Sequence, residues 1–242
     1  MNGVEYSYVP KSKVKILARE AEAIIADARE ILWEKDITFD PILVGSGDRN
    51  MVTCIKDTDV GYDLDYNLIL KKFPRELEPY QIKALFQNAF NVAVRNTGYS
   101  YPQDSTSVLT IKKLGMYGQV LRSIDFAILS EFSDSKGPYL KYIRNEKRPF
   151  GPYVWAVRGR GGNHFDDKRE ELKQNPRLWN MVRDEYLKLK NANEDEDKRS
   201  FDLYAEAVSN IYEQQIRHHK DIRNKEVKKN VRTVSRQRAQ QS

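Results

Sequence analysis

Asp63 and Asp65 stand one residue apart in Tyr62-Asp63-Leu64-Asp65-Tyr66-Asn67-Leu68, where polar and apolar side chains alternate. That period is a strand's, so both carboxylates leave the same face, with Cα atoms roughly 6.5–7 Å apart. Like charges this close repel, and a cation or a proton must compensate them. An all-oxygen donor set selects Mg²⁺ or Mn²⁺, hard ions that often arrive with substrate phosphates. Upstream, Gly45-Ser46 ends a short apolar run at residues 39–44. Glycine there lets a polyphosphate approach backbone N–H groups, and the serine hydroxyl adds a donor. Downstream, Asp125 is a lone acid in the otherwise apolar stretch 122–129. An unpaired carboxylate is costly in a buried strand. A strand beside the Asp63/Asp65 strand would bring Asp125 to the same ions. Three carboxylates and a glycine-serine cradle describe a two-metal phosphoryl-transfer site.

The elements that must position these residues follow from periodicity. Apolar residues Val14, Leu17, Ala21, Ile24, Ala28, Ile31 and Leu32 recur at helical spacing, which predicts a helix over 12–34 with Ser12 as N-cap. Residues 62–70 read as a strand. Pro79 opens a second helix through Ile82, Phe86 and Phe90, ending near Gly98. Residues 107–112 and 119–129 read as a hairpin across Gly115 and Gly118. The order helix, strand, strand, helix, strand, strand is a mixed α+β unit on one packed sheet. Residues 136–162, rich in Gly, Pro, Tyr and Arg, read as loops with short strands at most. Helices follow, one from Asn175-Pro176 and one carrying Phe201, Tyr204, Val208 and Ile211, separated by a polar loop over 191–198.

Plainer readings stand beside these. Asp-x-Asp also marks a solvated strand face, glycosyltransferases and phosphatases of the haloacid-dehalogenase type. The phosphatase motif wants an apolar strand running into its first Asp, whereas a turn, residues 57–62, precedes Asp63. A solvated face does not explain Asp125. Arg158-Gly159-Arg160-Gly161-Gly162 reads as a phosphate or RNA contact or as a surface turn. Tyr139, Tyr142, Tyr153 and Trp155 read as core aromatics or as a stacking surface for a nucleobase. His218-His219 suits a helix end better than a metal. Cys54 falls in a loop without a neighbouring His, which argues against catalysis by it.

The chain has 242 residues and a net charge of +6. Residues 220–242 carry eight basic and two acidic residues, so they hold all of that excess, and the rest is formally neutral. Weak nucleic-acid contact is therefore a property of the tail, otherwise read as a disordered end. One cysteine forms no internal disulfide, and with three histidines it makes no zinc framework. No apolar run reaches membrane-spanning length, and the N-terminus lacks a signal-peptide pattern. No membrane association and a cytoplasmic location are expected.

The order Gly-Ser, Asp-x-Asp between apolar strand residues, and a single later Asp resembles the nucleotidyltransferase superfamily with the DNA polymerase β-like palm. The N-terminal helix and trailing helices resemble its oligoadenylate synthetase and cyclic GMP-AMP synthase branch. The resemblance implies that Gly45 and Ser46 hold the phosphates of an NTP. It implies that Asp63 and Asp65 bind both metals (Mg²⁺ or Mn²⁺) and that Asp125 binds the one that activates the acceptor hydroxyl. The expected reaction moves an NMP from an NTP to a hydroxyl acceptor and releases pyrophosphate. The acceptor stays open between a nucleotide, RNA, a protein and a small molecule. A catalytically silent nucleotide- or RNA-binding module on the same fold is the alternative. One departure is the sixteen-residue interval between Ser46 and Asp63, longer than the family's usual one. The expected organisation is a nucleotidyltransferase core over 1–162, a helical region over 163–219 and the tail over 220–242.

Overall fold

The computed structural model describes residues 4–146, 151–158, 165–195 and 197–217. The chain divides into two units, 1–160 and 161–242. The first holds β1 (Tyr6–Tyr8), α1 (Lys11–Trp33), β2 (Thr38–Val44), α2 (Gly45–Asp48), β3 (Thr53–Ile55) and β4 (Tyr62–Lys72). It continues with α3 (Pro79–Ala93), β5 (Gln103–Asp104), β6 (Leu109–Leu114), β7 (Val120–Asp134), β8 (Gly137–Asn145) and β9 (Tyr153–Val157). The second holds α4 (Phe165–Lys173), α5 (Pro176–Ala192) and α6 over 200–217.

The main sheet runs β2-β4-β7-β6-β5, with β8 also on β7 and β9 on β8. β4 and β7 are parallel, and the other pairs are antiparallel. β7 is long enough to serve two partners. β6 pairs with it from Val120 to Phe126, and β8 pairs from Leu129 to Asp134. Both lie on the edge away from β4, so the sheet forks there into a β6–β5 prong and a β8–β9 prong.

Alternation gives the sheet an apolar face. Leu64, Tyr66, Leu68, Ile124, Phe126, Leu109 and Ile111 are buried with the inward residues of α1 and α3 in one core. Phe90 stacks on Phe126 at 4.3 Å, and Phe86 meets Phe39 at 5.2 Å. α1 buries Leu17, Ala21, Ile24, Ile25, Ala28 and Leu32, the face its periodicity marks out. It stops where Asp36 takes a left-handed φ of 58° and turns the chain into β2. Pro79 occupies the first turn of α3, where Glu78 and Gln81 cap each other's backbone N–H groups.

Three local expectations are corrected. Ser12 lies inside α1, and Pro10 holds the cap position with no side-chain bond. Its fixed φ and missing N–H suit a helix entry without one. Residues 137–145 and 153–157, read as loops with short strands at most, form a paired two-strand extension of the sheet, because β7 runs on past the end of β6 and leaves that edge for β8 to pair with. Cys54 lies buried in β3, not in a loop, and β3 pairs with β1 as a separate ribbon. The end of α2, the β3 strand of that ribbon and the turns around it occupy the long interval between Ser46 and Asp63.

In the second unit, Asn175 caps α5 by accepting from the N–H groups of Arg177 and Leu178. Tyr204 of α6 is buried there with Leu172, Val182 and Tyr186, and Phe165 meets its ring at 5.7 Å. His218, His219 and the basic tail lie outside the described residues. Among the described residues no helix is long and apolar enough to cross a membrane.

Phe90 is fully buried against Phe126. Phe90→Ala is expected to cost about 3–5 kcal/mol, read as a lower denaturant midpoint with an unchanged slope.

Candidate functional site

The opposite face of the sheet carries the acids. Parallel register sets Asp63 beside Ser123, Asp65 beside Asp125, and Asn67 beside Ala127. Antiparallel register adds Val44 on one side of Asp65 and Thr110 on the other side of Asp125. One transverse row thus reads Val44, Asp65, Asp125, Thr110, and Asp63 sits one pleat away from Asp65. The structure brings all three predicted acids together, and Gly45 with them.

Gly45 follows β2 directly and has φ +68°. A Cβ on it would collide with the Asp65 carboxylate. Glycine is required there twice, for its backbone angle and for this close approach. Ser46 follows in the same turn and accepts the N–H of Met51 on its carbonyl at 2.9 Å. Gly47 leans the other way, since a Cβ there would stand 2.7 Å from Leu64. The α2 turn therefore wraps the end of the sheet, with one side toward the acids and one toward the core.

Electrostatics match this crowding. Burial pushes the Asp65 carboxyl up to about 7, and the charges of Asp63 and Asp125 add to the rise. Arg49 and Arg158 oppose it. Asp125 is also raised, chiefly by burial, against the hydrogen bond it accepts from Thr110 Oγ1 at 2.6 Å. Asp63 raises it further, and Lys112 opposes. Arg158 follows β9 and donates to Asn67 Oδ1 at 2.6 Å.

Sequence reasoning named Arg158 only as part of a glycine-arginine run and did not single out Arg49, Asn67, Thr110 or Lys112. The available signal was strand parity. Asn67 continues the Asp63/Asp65 alternation, and Thr110 and Lys112 alternate toward the partner strand. Where the sheet forks, Ser107, Val108, Ala127, Tyr142, Val157 and Arg158 line a groove of about 310 Å³. Of the four aromatic residues considered from sequence, Tyr142 lines this groove. Tyr139 and Trp155 meet Phe132 at 6.2 and 5.7 Å, and Tyr153 donates its hydroxyl to Asp104.

Among the described residues, no three His, Cys, Asp or Glu side chains form a ready-made metal cluster. The acids are neighbours across two strands rather than a closed cage. Their chemistry still fits a hard divalent cation. The donors are all oxygen, and Asp65 is buried beside two further carboxylates whose charges add to its rise.

The sign of the pH effect follows. In metal-free protein, Asp65 keeps its proton up to about 7, against an ordinary value of 3.8. The stability this lends is complete below the ordinary value and lost as pH rises through about 7. Asp65→Asn is therefore expected to match wild type near pH 4 and to be more stable at pH 8, by on the order of 2–4 kcal/mol. Thermal melts in chelator at both pH values check this.

No protein-family model matches the chain, and no curated protein does. Solved structures do. The STING-associated CdnE c-di-GMP synthase from Capnocytophaga granulosa aligns at 14% identity and TM-score 0.52, over 84% of this chain and 60% of that one. The Bradyrhizobium diazoefficiens CD-NTase CdnG, in complex with GTP, aligns at 14% and 0.53, over 86% and 67%. Escherichia coli DncV, in its 3'-deoxy GTP bound form, aligns at 15% and 0.50, over 84% and 54%. The chain thus spans between about half and two thirds of those proteins' lengths. Such identities speak for fold, and the fold is the nucleotidyltransferase fold of the CD-NTases, with a mixed sheet, a long leading helix and trailing helices.

Proposed function

We propose that the chain transfers a nucleoside monophosphate from an NTP to a hydroxyl acceptor, with release of pyrophosphate. The observation that carries this reading is the transverse row: Asp65 packed against Gly45 on one side and Asp125 on the other, with its carboxyl pushed up to about 7. A site built this way is short of positive charge, and a divalent cation with a triphosphate supplies what it lacks. Asp63, Asp65 and Asp125 are the proposed ligands of Mg²⁺ or Mn²⁺. Such ions lower the pKa of an acceptor hydroxyl and neutralise charge on the leaving pyrophosphate.

The chain's own residues then position and shield. The Gly45-Ser46 turn offers backbone N–H groups and a hydroxyl to phosphate oxygens. Arg49 and Arg158 put guanidinium charge beside Asp65, where triphosphate oxygens would meet it. Thr110 holds one oxygen of Asp125 and fixes its orientation. The acceptor hydroxyl gives up its proton to solvent, its oxygen bonds to the α-phosphorus, and the bond from that phosphorus to the oxygen shared with the β-phosphate breaks. Pyrophosphate leaves with the electron pair. The solved relatives include a c-di-GMP synthase and a GTP complex. We therefore take the ribose hydroxyl of a second nucleotide as the acceptor class.

The test is incubation with each labelled NTP and Mg²⁺ or Mn²⁺, followed by mass spectrometry of the products. Asp63→Asn and Asp65→Asn are expected to lower turnover by about 10²–10³-fold or more without loss of fold. Turnover by Asp63→Asn at the wild-type rate would remove the metal assignment. Metal-dependent NTP binding without product in the wild type would favour the silent binding module.

Asp125 is expected to behave differently from the pair. Asp125→Asn should keep Mg²⁺-dependent binding of a non-hydrolysable NTP while losing transfer, and Asp63→Asn should lose the metal dependence as well. Calorimetric titration with and without Mg²⁺ decides between them. Equal loss in both variants would mean that Asp125 is not confined to the acceptor side.

A further inference from the structure

Lys83 is a charged residue only 3% exposed, a burial that free lysines do not tolerate. α3 carries it from the apolar side of the sheet to the outer strands of the fork. Its Nζ lies 2.5 Å from Asp104 Oδ1, in β5 at the end of one prong, and donates to the Ser105 carbonyl at 3.0 Å. It also sits 5.4 Å above the ring of Tyr153, the first residue of β9 on the other prong. The Tyr153 hydroxyl closes the set by donating to Asp104 Oδ2. One carboxylate is thus shared between a buried cation and a phenol, and it ties together two strands that the sheet hydrogen bonds leave apart. A backbone bond from Asn145 N to the Thr106 carbonyl at 2.8 Å bridges the prongs nearby.

The groove lies in the crotch of this fork. Ser107 and Val108 belong to the turn after Asp104, Val157 ends the strand that Tyr153 begins, and Arg158 follows it directly. Arg158 is therefore held at two ends. Its guanidinium reaches Asn67 in the acid face, and its strand is anchored four residues back from its last residue by the Tyr153–Asp104 bond.

We propose that Lys83, Asp104 and Tyr153 form a clasp that sets the spacing of the two prongs and so places the Arg158 guanidinium beside Asp65. They are positioning residues. The clasp controls how tightly the site takes an anionic nucleotide and leaves the bond-making step to the acids. The role in nucleotide affinity rests on the reading of the acid face as an NTP site.

Tyr153→Phe removes one hydrogen bond and keeps the ring over Lys83, so it is the gentler variant. Lys83→Met is the stronger one. In Tyr153→Phe the KM for NTP, or the Kd of a non-hydrolysable analogue, is expected to rise about five- to tenfold with kcat changed less than about twofold. In an Arg158→Ala background the same substitution should add nothing further, because its effect passes through that guanidinium. Additive losses, or a fall in kcat at constant KM, would overturn the proposal. A second measurement needs no turnover. Phenylglyoxal modification of Arg158, followed by mass spectrometry at a temperature well below both melting points, should run several-fold faster in Tyr153→Phe than in wild type. Equal rates would sink the clasp. A faster rate in a protein that neither binds nor converts NTP would uphold the clasp and remove the nucleotide reading instead.

Discussion

The parallel pairing of β4 with β7 is the constraint on which the rest of the first unit depends. It sets Asp65 directly beside Asp125 and leaves Asp63 one pleat away. The three carboxylates oppose the pairing that assembles them. What holds the strands together is the other face, where Leu64, Leu68, Ile124, Phe126 and Ile128 are all but fully buried under α1 and α3. Burying such side chains contributes roughly 1.5–3 kcal/mol each, more than the repulsion removes. The polar neighbours read as partial compensation. Thr110 steadies one acid, Arg49 and Arg158 lend charge to another, and Gly45 gives up a side chain so that Asp65 has room.

Much of this was legible because strand parity is a local property. Asp63 and Asp65 had to share a face, and Gly45 had to end the preceding strand. The hairpin that delivers Asp125 follows from two alternating segments around Gly115 and Gly118. Helices α1 and α3 were readable from their apolar spacing and from Pro79. What sequence could not give was which strands sit side by side. The parallel register joins segments some sixty residues apart, and nothing local encodes it. The β8–β9 prong was legible only as loops with short strands, for a related reason. Gly137-Pro138 and the surrounding charges mask an alternation that pays off only when the far half of β7 lies exposed beside it. Arg158 stayed ambiguous because its meaning depends on Asn67, ninety-one positions earlier in sequence.

The likeness to the cyclic dinucleotide synthases fixes the scaffold and leaves the chemistry to particular residues, as folds generally do. At 14–15% identity, little beyond the framework is shared. The row across four strands and the forked edge of β7 therefore carry the functional argument. They are features of this chain's own register and side chains.

That register also has a consequence in time. β2 meets β4 across a connection of about twenty residues, and β6 meets β7 across a tight turn. The β4–β7 ladder closes a longer loop, since α3, β5 and β6 intervene in sequence, and loop-closure entropy favours the local hairpins before it. On that order of events the acids become neighbours late, when β7 docks on β4. Their repulsion then acts on the barrier as well as on the final state. Acidity, or an early-arriving cation, becomes a control on how fast this sheet closes.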